Sequence, residues 1–133
     1  MAFLSLRRNR RLLLNLTLPR IIPEMTSGVI EAIHAGVGTS MRGGSKLFDV
    51  SVDLSAIAPQ DCPPVSLYRL VMRDHVWLRT LSVAPGDEVP VGAPLAQFTV
   101  EADEPLDVVP ARQARITIAG IVFPADAWSA RRP

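Results

Sequence analysis

The chain has 133 residues, a net charge of +1, eight glycines, twelve prolines and one cysteine. That length holds one domain with tails and a modest core. The near-neutral balance gives no broad electrostatic case for nucleic acid, and a lone cysteine excludes an intrachain disulfide or a cysteine-built metal cage.

In chain order, Arg7, Arg8, Arg10 and Arg11 precede a leucine-rich stretch, superficially like a targeting segment. That apolar run is brief, contains Asn15 and Thr17, and no small-residue cleavage site follows. The expectation is a basic arm over 1–11, with no aromatic platform to make it a nucleic-acid footprint. No segment approaches the roughly 18 apolar residues that cross a bilayer, so no membrane span is expected. A single cysteine suits a reducing, cytoplasmic setting.

Leu12, Leu14, Leu16 and Leu18 alternate with Leu13, Asn15 and Thr17, a period of two that predicts a half-buried strand. Residues 28–35 and 76–83 read as strands closed by Gly38 and Gly86, with Gly44 and Gly92 reversing the chain again. Such turns want positive φ, where a Cβ clashes. Stretches 46–53 and 94–101 are the return strands, and 66–73 is a further strand. Between them, 55–64 is a Pro-punctuated loop, and 101–107 is an acidic linker. Residues 115–123 form another strand before a tail carrying Trp128. No amphipathic helix is expected.

The glycines and apolar residues recur at a fixed offset of 48 positions, from Gly28 to Val76. The matched pairs are Ile30/Leu78, Ile33/Leu81, Ala35/Val83, Gly38/Gly86, Met41/Val89, Gly44/Gly92, Leu47/Leu95 and Val50/Phe98. A doubled unit of strand, Gly turn, short strand, Gly turn and strand predicts two copies packed around a shared core.

The chemistry-bearing residues read blandly. His34 and His75 lack Cys or acidic neighbours at ligand spacing and read as surface or turn histidines. Cys62 lies in a loop with nothing to activate it. Ser40, Ser45, Ser51 and Ser55 lack the elbow of an activated serine, and Gly36, Gly38, Gly43 and Gly44 lead into no helix that would hold phosphate. Asp87 and Glu88 make a polar turn tip, and Trp77 packs on a strand. Trp128, with Ile116, Ile118 and Val122, is the candidate docking surface for a protein partner.

Beyond these readings, Leu18-Pro-Arg-Ile-Ile-Pro-Glu-Met-Thr-Ser-Gly28 resembles the opening motif Met-Pro-x-Leu-x-x-x-Met-Thr-x-Gly of lipoyl domains in 2-oxo acid dehydrogenase acyltransferases. Pro19, Ile21, Met25, Thr26 and Gly28 fall at the corresponding places. The stretch from Val83 to Ala96 is similar to the family's Val-x-x-Gly-Asp-x-Val-x-x-Gly-x-x-Leu-Ala. The resemblance to the lipoyl/biotinyl carrier family covers about residues 12–100. It implies an all-β barrel-sandwich hybrid of about seven or eight short strands in two pseudo-twofold halves, here with an extra C-terminal strand. The expected parts are the arm 1–11, the β domain 12–106, and a strand and tail over 107–133. Gly28, Gly38, Gly44, Gly86 and Gly92 are the expected turn glycines.

The departure lies at the tip. In the family, an Asp-Lys-Ala hairpin carries lipoate or biotin on its lysine. The register from Gly28 puts that tip at Asp53-Leu54-Ser55, and Leu54 has no amine. Lys46, the chain's only lysine, stands eight positions earlier (54 − 46). The resemblance therefore implies no catalytic residue, no cofactor and no metal, in a non-catalytic module acting structurally or through a protein partner. By the same resemblance that partner is a component of a 2-oxo acid dehydrogenase or another acyl-transfer complex, and pairing of the C-terminal strand would give a homodimer. The alternative is a swinging-arm carrier with lipoate or biotin on Lys46. A split lipoyl half of a membrane-fusion-type adaptor would need a long helical hairpin, which the Pro-rich loop cannot supply.

Overall fold

The computed structural model describes residues 12–53 and 65–121, and among them every regular element is a strand. In chain order these are β1 (Leu13–Thr17), β2 (Ser27–Ile33), β3 (Ser40–Met41), β4 (Lys46–Asp53), β5 (Val65–Met72), β6 (Val76–Leu81), β7 (Glu88–Pro90), β8 (Pro94–Thr99), β9 (Arg112–Gln113) and β10 (Ile116–Ile121). The stretches expected as strands form them with ends shifted by a residue or two: β2 and β5 begin one residue early, and β6 and β8 end two residues short. The last two residues of the expected 115–123 strand lie outside the described residues. The acidic stretch after β8 is more than a linker. Glu104 is buried, its carboxylate accepts from the Glu101 N–H at 2.9 Å, and its carbonyl accepts from Arg79 Nη1 at 2.6 Å.

Two five-stranded sheets result, one ordered β3-β6-β8-β1-β9 and the other β10-β5-β4-β2-β7. Among the described residues neither closes on itself: each ends in two unjoined edge strands, and no closed barrel forms. Both sheets turn apolar residues into one core. Leu14 and Leu16 of β1, Phe48 and Val50 of β4, Leu70 and Met72 of β5, and Leu95 and Phe98 of β8 are all almost wholly buried in it. Burying a side chain of this size contributes roughly 1.5–3 kcal/mol.

The pairings of one sheet restate those of the other. Val29↔Ser51, Ile30↔Val50, Ala32↔Asp49 and Ile33↔Phe48 join β2 to β4. Trp77↔Thr99, Leu78↔Phe98, Thr80↔Gln97 and Leu81↔Ala96 join β6 to β8, each 48 residues on (77 − 29). Even the irregularity recurs, at Glu31 in β2 and at Arg79 in β6. A bulge inserts one residue and sharpens the local twist, so it helps to fix register.

The turn glycines lock the halves to each other. Gly38, Gly44, Gly86 and Gly92 have φ of 91°, 95°, 95° and 90°, where an L side chain is strained. Gly38 N–H donates to Leu78 O at 2.7 Å, and Gly86 N–H donates to Ile30 O at 2.6 Å. Each turn is thus held by the strand of the other half. Gly28 is a correction: it sits inside β2 opposite Val89, without positive φ. A Cβ there would lie 2.7 Å from Val50 Cγ1, so the position needs glycine for close approach, not for turning.

The doubled pattern stops at the C-terminal segment. β9 adds to β1 in parallel, whereas β10 adds to β5 antiparallel over six residue pairs.

Candidate functional site

The two sheets match in their buried residues and differ in their outward ones. On the β1–β8 face, Gln97 Nε2 donates to Asn15 Oδ1 at 3.3 Å, a neutral amide contact. At the matching place on the other sheet, Asp49 of β4 stands opposite Arg69 of β5. Arg69 Nε donates to Asp49 Oδ1 at 2.8 Å and Nη2 donates to Oδ2 at 3.2 Å. His34, just beyond the end of β2, brings Nε2 within 3.0 Å of Asp49 Oδ2. A bidentate arginine and an imidazole thus close over one carboxylate.

Asp49 is nearly buried. Burial pushes its carboxyl up, but hydrogen bonds from Arg69 and His34 and their charges outweigh it, and the net shift is down. Arg69 is shifted up, chiefly by its hydrogen bond to Asp49. The trio is an ion-pair clamp, with each Asp49 oxygen taken up by a donor. Beside it on the same strand, Ser51 Oγ donates to Glu31 Oε2 at 2.6 Å rather than to the trio.

A second clamp ties the C-terminal segment down. Asp74 receives Arg112 Nη1 and Nη2, both at 3.1 Å, and the Arg115 N–H at 2.8 Å. Burial again works upward on this carboxyl, and the Arg112 and Arg115 donors hold it below its ordinary value.

Two surface recesses flank β4. One, of about 460 Å³, is lined by Glu24, Ser27, Gly28, Ser51, Asp53 and Glu88, beside the end of the strand. The other, of about 350 Å³, is lined by His34, Thr39, Ser40, Ser45 and Lys46 near its start. Asp53, the aspartate of the expected tip, is exposed as the last residue of β4 and pairs with Val65. Leu54 and Ser55 lie outside the described residues, as do Cys62, Val122, Trp128 and the arginines at 7–11. Lys46 is exposed and is the first residue of β4. About 3.3 Å of rise per residue separates it from Asp53 by about 23 Å. The structure therefore puts Lys46 and Asp53 at opposite ends of one strand.

Ile116 packs partly against the core, while Ile118 is 37% exposed. Asp87 accepts the Ala84 N–H at 2.8 Å, and Glu88 accepts from Ser27 Oγ at 3.1 Å, so this polar tip holds its own turn. Among the described residues no group of three or more His, Cys, Asp or Glu is placed to hold a metal, and no helix is long and apolar enough to cross a membrane.

Sequence reasoning missed both clamps. In the sequence His34 stands alone, because the other two members of its trio are 15 and 35 positions away (49 − 34 and 69 − 34) on neighbouring strands. The signal was the register: once 46–53 and 65–72 are paired antiparallel, Asp49 and Arg69 face each other. No protein-family model matches the chain, and neither does any curated protein.

Proposed function

We propose that this chain is a lipoyl/biotinyl-domain-like module that lacks the acceptor lysine and acts as a non-catalytic structural or protein-recognition component. One observation carries the reading: Leu54 stands where the resemblance puts the acylated lysine, while the only lysine is at the far end of β4. An acyl group needs a nucleophilic amine, and leucine offers none.

Three features support the finer fold, a barrel-sandwich hybrid of twofold-related halves. They are the opening motif from Pro19 to Gly28, the strand pairings repeated at an offset of 48, and the reciprocal turn contacts of Gly38 and Gly86. Recognition then falls to the surfaces on which the sheets differ, foremost the face bearing His34, Asp49 and Arg69. A partner among the components of a 2-oxo acid dehydrogenase or related acyl-transfer assembly follows from the resemblance alone, and a reducing cytoplasm from the single cysteine.

The test is the intact mass of the purified protein before and after incubation with a lipoate ligase or a biotin ligase. The expected result is no change. A gain of roughly 190 Da for lipoyl or roughly 230 Da for biotinyl, mapped to Lys46, would replace this reading with the carrier one.

A further inference from the structure

Sheets end in rows of unpaired backbone N–H and C=O groups, and proteins blunt such edges by keeping them short or placing proline or charge on them. Three of the four edge strands here are blunted. β3 and β9 have two residues each, and β7 has three, the last of which is Pro90. β10 is the exception. It runs six residues, Ile-Thr-Ile-Ala-Gly-Ile, with no charge and no proline, and its pairing with β5 has no bulge.

Its register shows which groups face outward. Arg73 N–H donates to Arg115 O at 2.9 Å, so these two residues extend the Ile116↔Met72 register as a hydrogen-bonded pair. Such pairs alternate along an antiparallel ladder. Thr117, Ala119 and Ile121 therefore turn their backbone groups toward β5, while Ile116, Ile118 and Gly120 turn theirs to the edge that no described strand pairs. The side chains of Ile116 and Ile118 share the face of Met72 and Leu70, their neighbours on β5, which are fully buried. Ile118 lies at the margin of that core, more than a third exposed.

We propose that this edge pairs with the same edge of a second copy. β10 lies antiparallel to its counterpart about a twofold axis at Ile118, which joins the two five-stranded sheets into one. Ile118 then faces Ile118, and Ile116 faces Gly120, so every outward N–H and C=O of the three residues finds a partner in both copies. The strand is its own complement. It brings no charged residue of β10 against its like, and the two Ile118 side chains cover each other where the core leaves them exposed. The inference rests on the edge alone and does not depend on the lipoyl-like reading.

The test is light scattering behind size exclusion on the full chain over the micromolar to sub-millimolar range, with amide hydrogen exchange at both ends of that range. A dimer is expected, with exchange at Ile118 and Gly120 at least about tenfold slower in the concentrated sample. Ile118→Pro removes an N–H that β5 does not use, and Ile118→Lys sets like charges on the axis. Both variants should be monomers that keep the wild-type exchange protection at Thr117 and Ala119. A wild-type monomer throughout, or variants that still dimerise, would overturn the proposal. A chain ending at residue 121 separates one competitor: if only that form dimerises, the edge is occupied by residues 122–133 of its own chain and the proposal is wrong.

Discussion

Single side chains show where this fold has no slack. Gly28 is flanked by Val50 Cγ1, Met25 Cε and Ser51 O at distances that leave no room for a methyl group. Gly28→Ala should therefore cost about 1–3 kcal/mol through overpacking, read as a lowered urea midpoint with an unchanged slope. Asp49 and Asp74 give a pH signature. Both carboxyls are held down in the fold, so the unfolded chain binds their protons more tightly. Their stabilisation is complete above the ordinary aspartate value of about 3.9 and is lost as pH falls through the lower folded values. The unfolding midpoint should be flat from about pH 7 to pH 5 and fall below about pH 4. Asp49→Asn with Asp74→Asn should lower the midpoint at neutral pH and flatten that fall. An equally steep fall in the double variant would place the acid sensitivity elsewhere.

Among elements, legibility followed the range of the signal. Gly38, Gly44, Gly86 and Gly92 were readable because a turn needs its glycine locally, and two copies in one register reinforce each other. Alternation located β1, and the 46–53 stretch emerged with its expected bounds. The three-residue and two-residue strands gave no usable period of their own. Gly28 was misassigned because a glycine demanded by a neighbouring strand looks, in sequence, like one demanded by a turn. The clamps at Asp49 and Asp74 were invisible because their partners meet only through strand register and the return of the C-terminal segment. That segment also sets a prediction. A chain ending at residue 121 keeps β9 and β10 and should unfold cooperatively near the full chain's midpoint. One ending at residue 106 loses both strands and the Arg112 partner of Asp74, and it bares the β5 edge. It should be markedly less stable and form aggregates, as measured by thermal unfolding and light scattering. Equal stability of the two would mean that the C-terminal strands contribute little.

For the molecule as a whole, the two sheets share a buried pattern and diverge on their surfaces. A neutral amide contact on one face corresponds to an ion-pair clamp on the other. Packing constrains the buried rows more than the outward ones, and on the proposed reading recognition falls to the face where the sheets differ. The expected all-β class stands, as two open sheets with no closed barrel among the described residues. On the proposed reading position 54 is the deciding feature, because an amine there would separate a carrier from a domain of related shape that has no cargo. The decisive measurement is the intact mass of the Leu54→Lys, Ser55→Ala variant after incubation with a lipoate ligase, beside the wild type. Writing Asp-Lys-Ala into positions 53–55 should add roughly 190 Da at the substituted position and leave the wild type unmodified. A folded variant that gains nothing, or a wild type that gains the same mass on Lys46, would contradict a lipoyl-like module with an aliphatic tip.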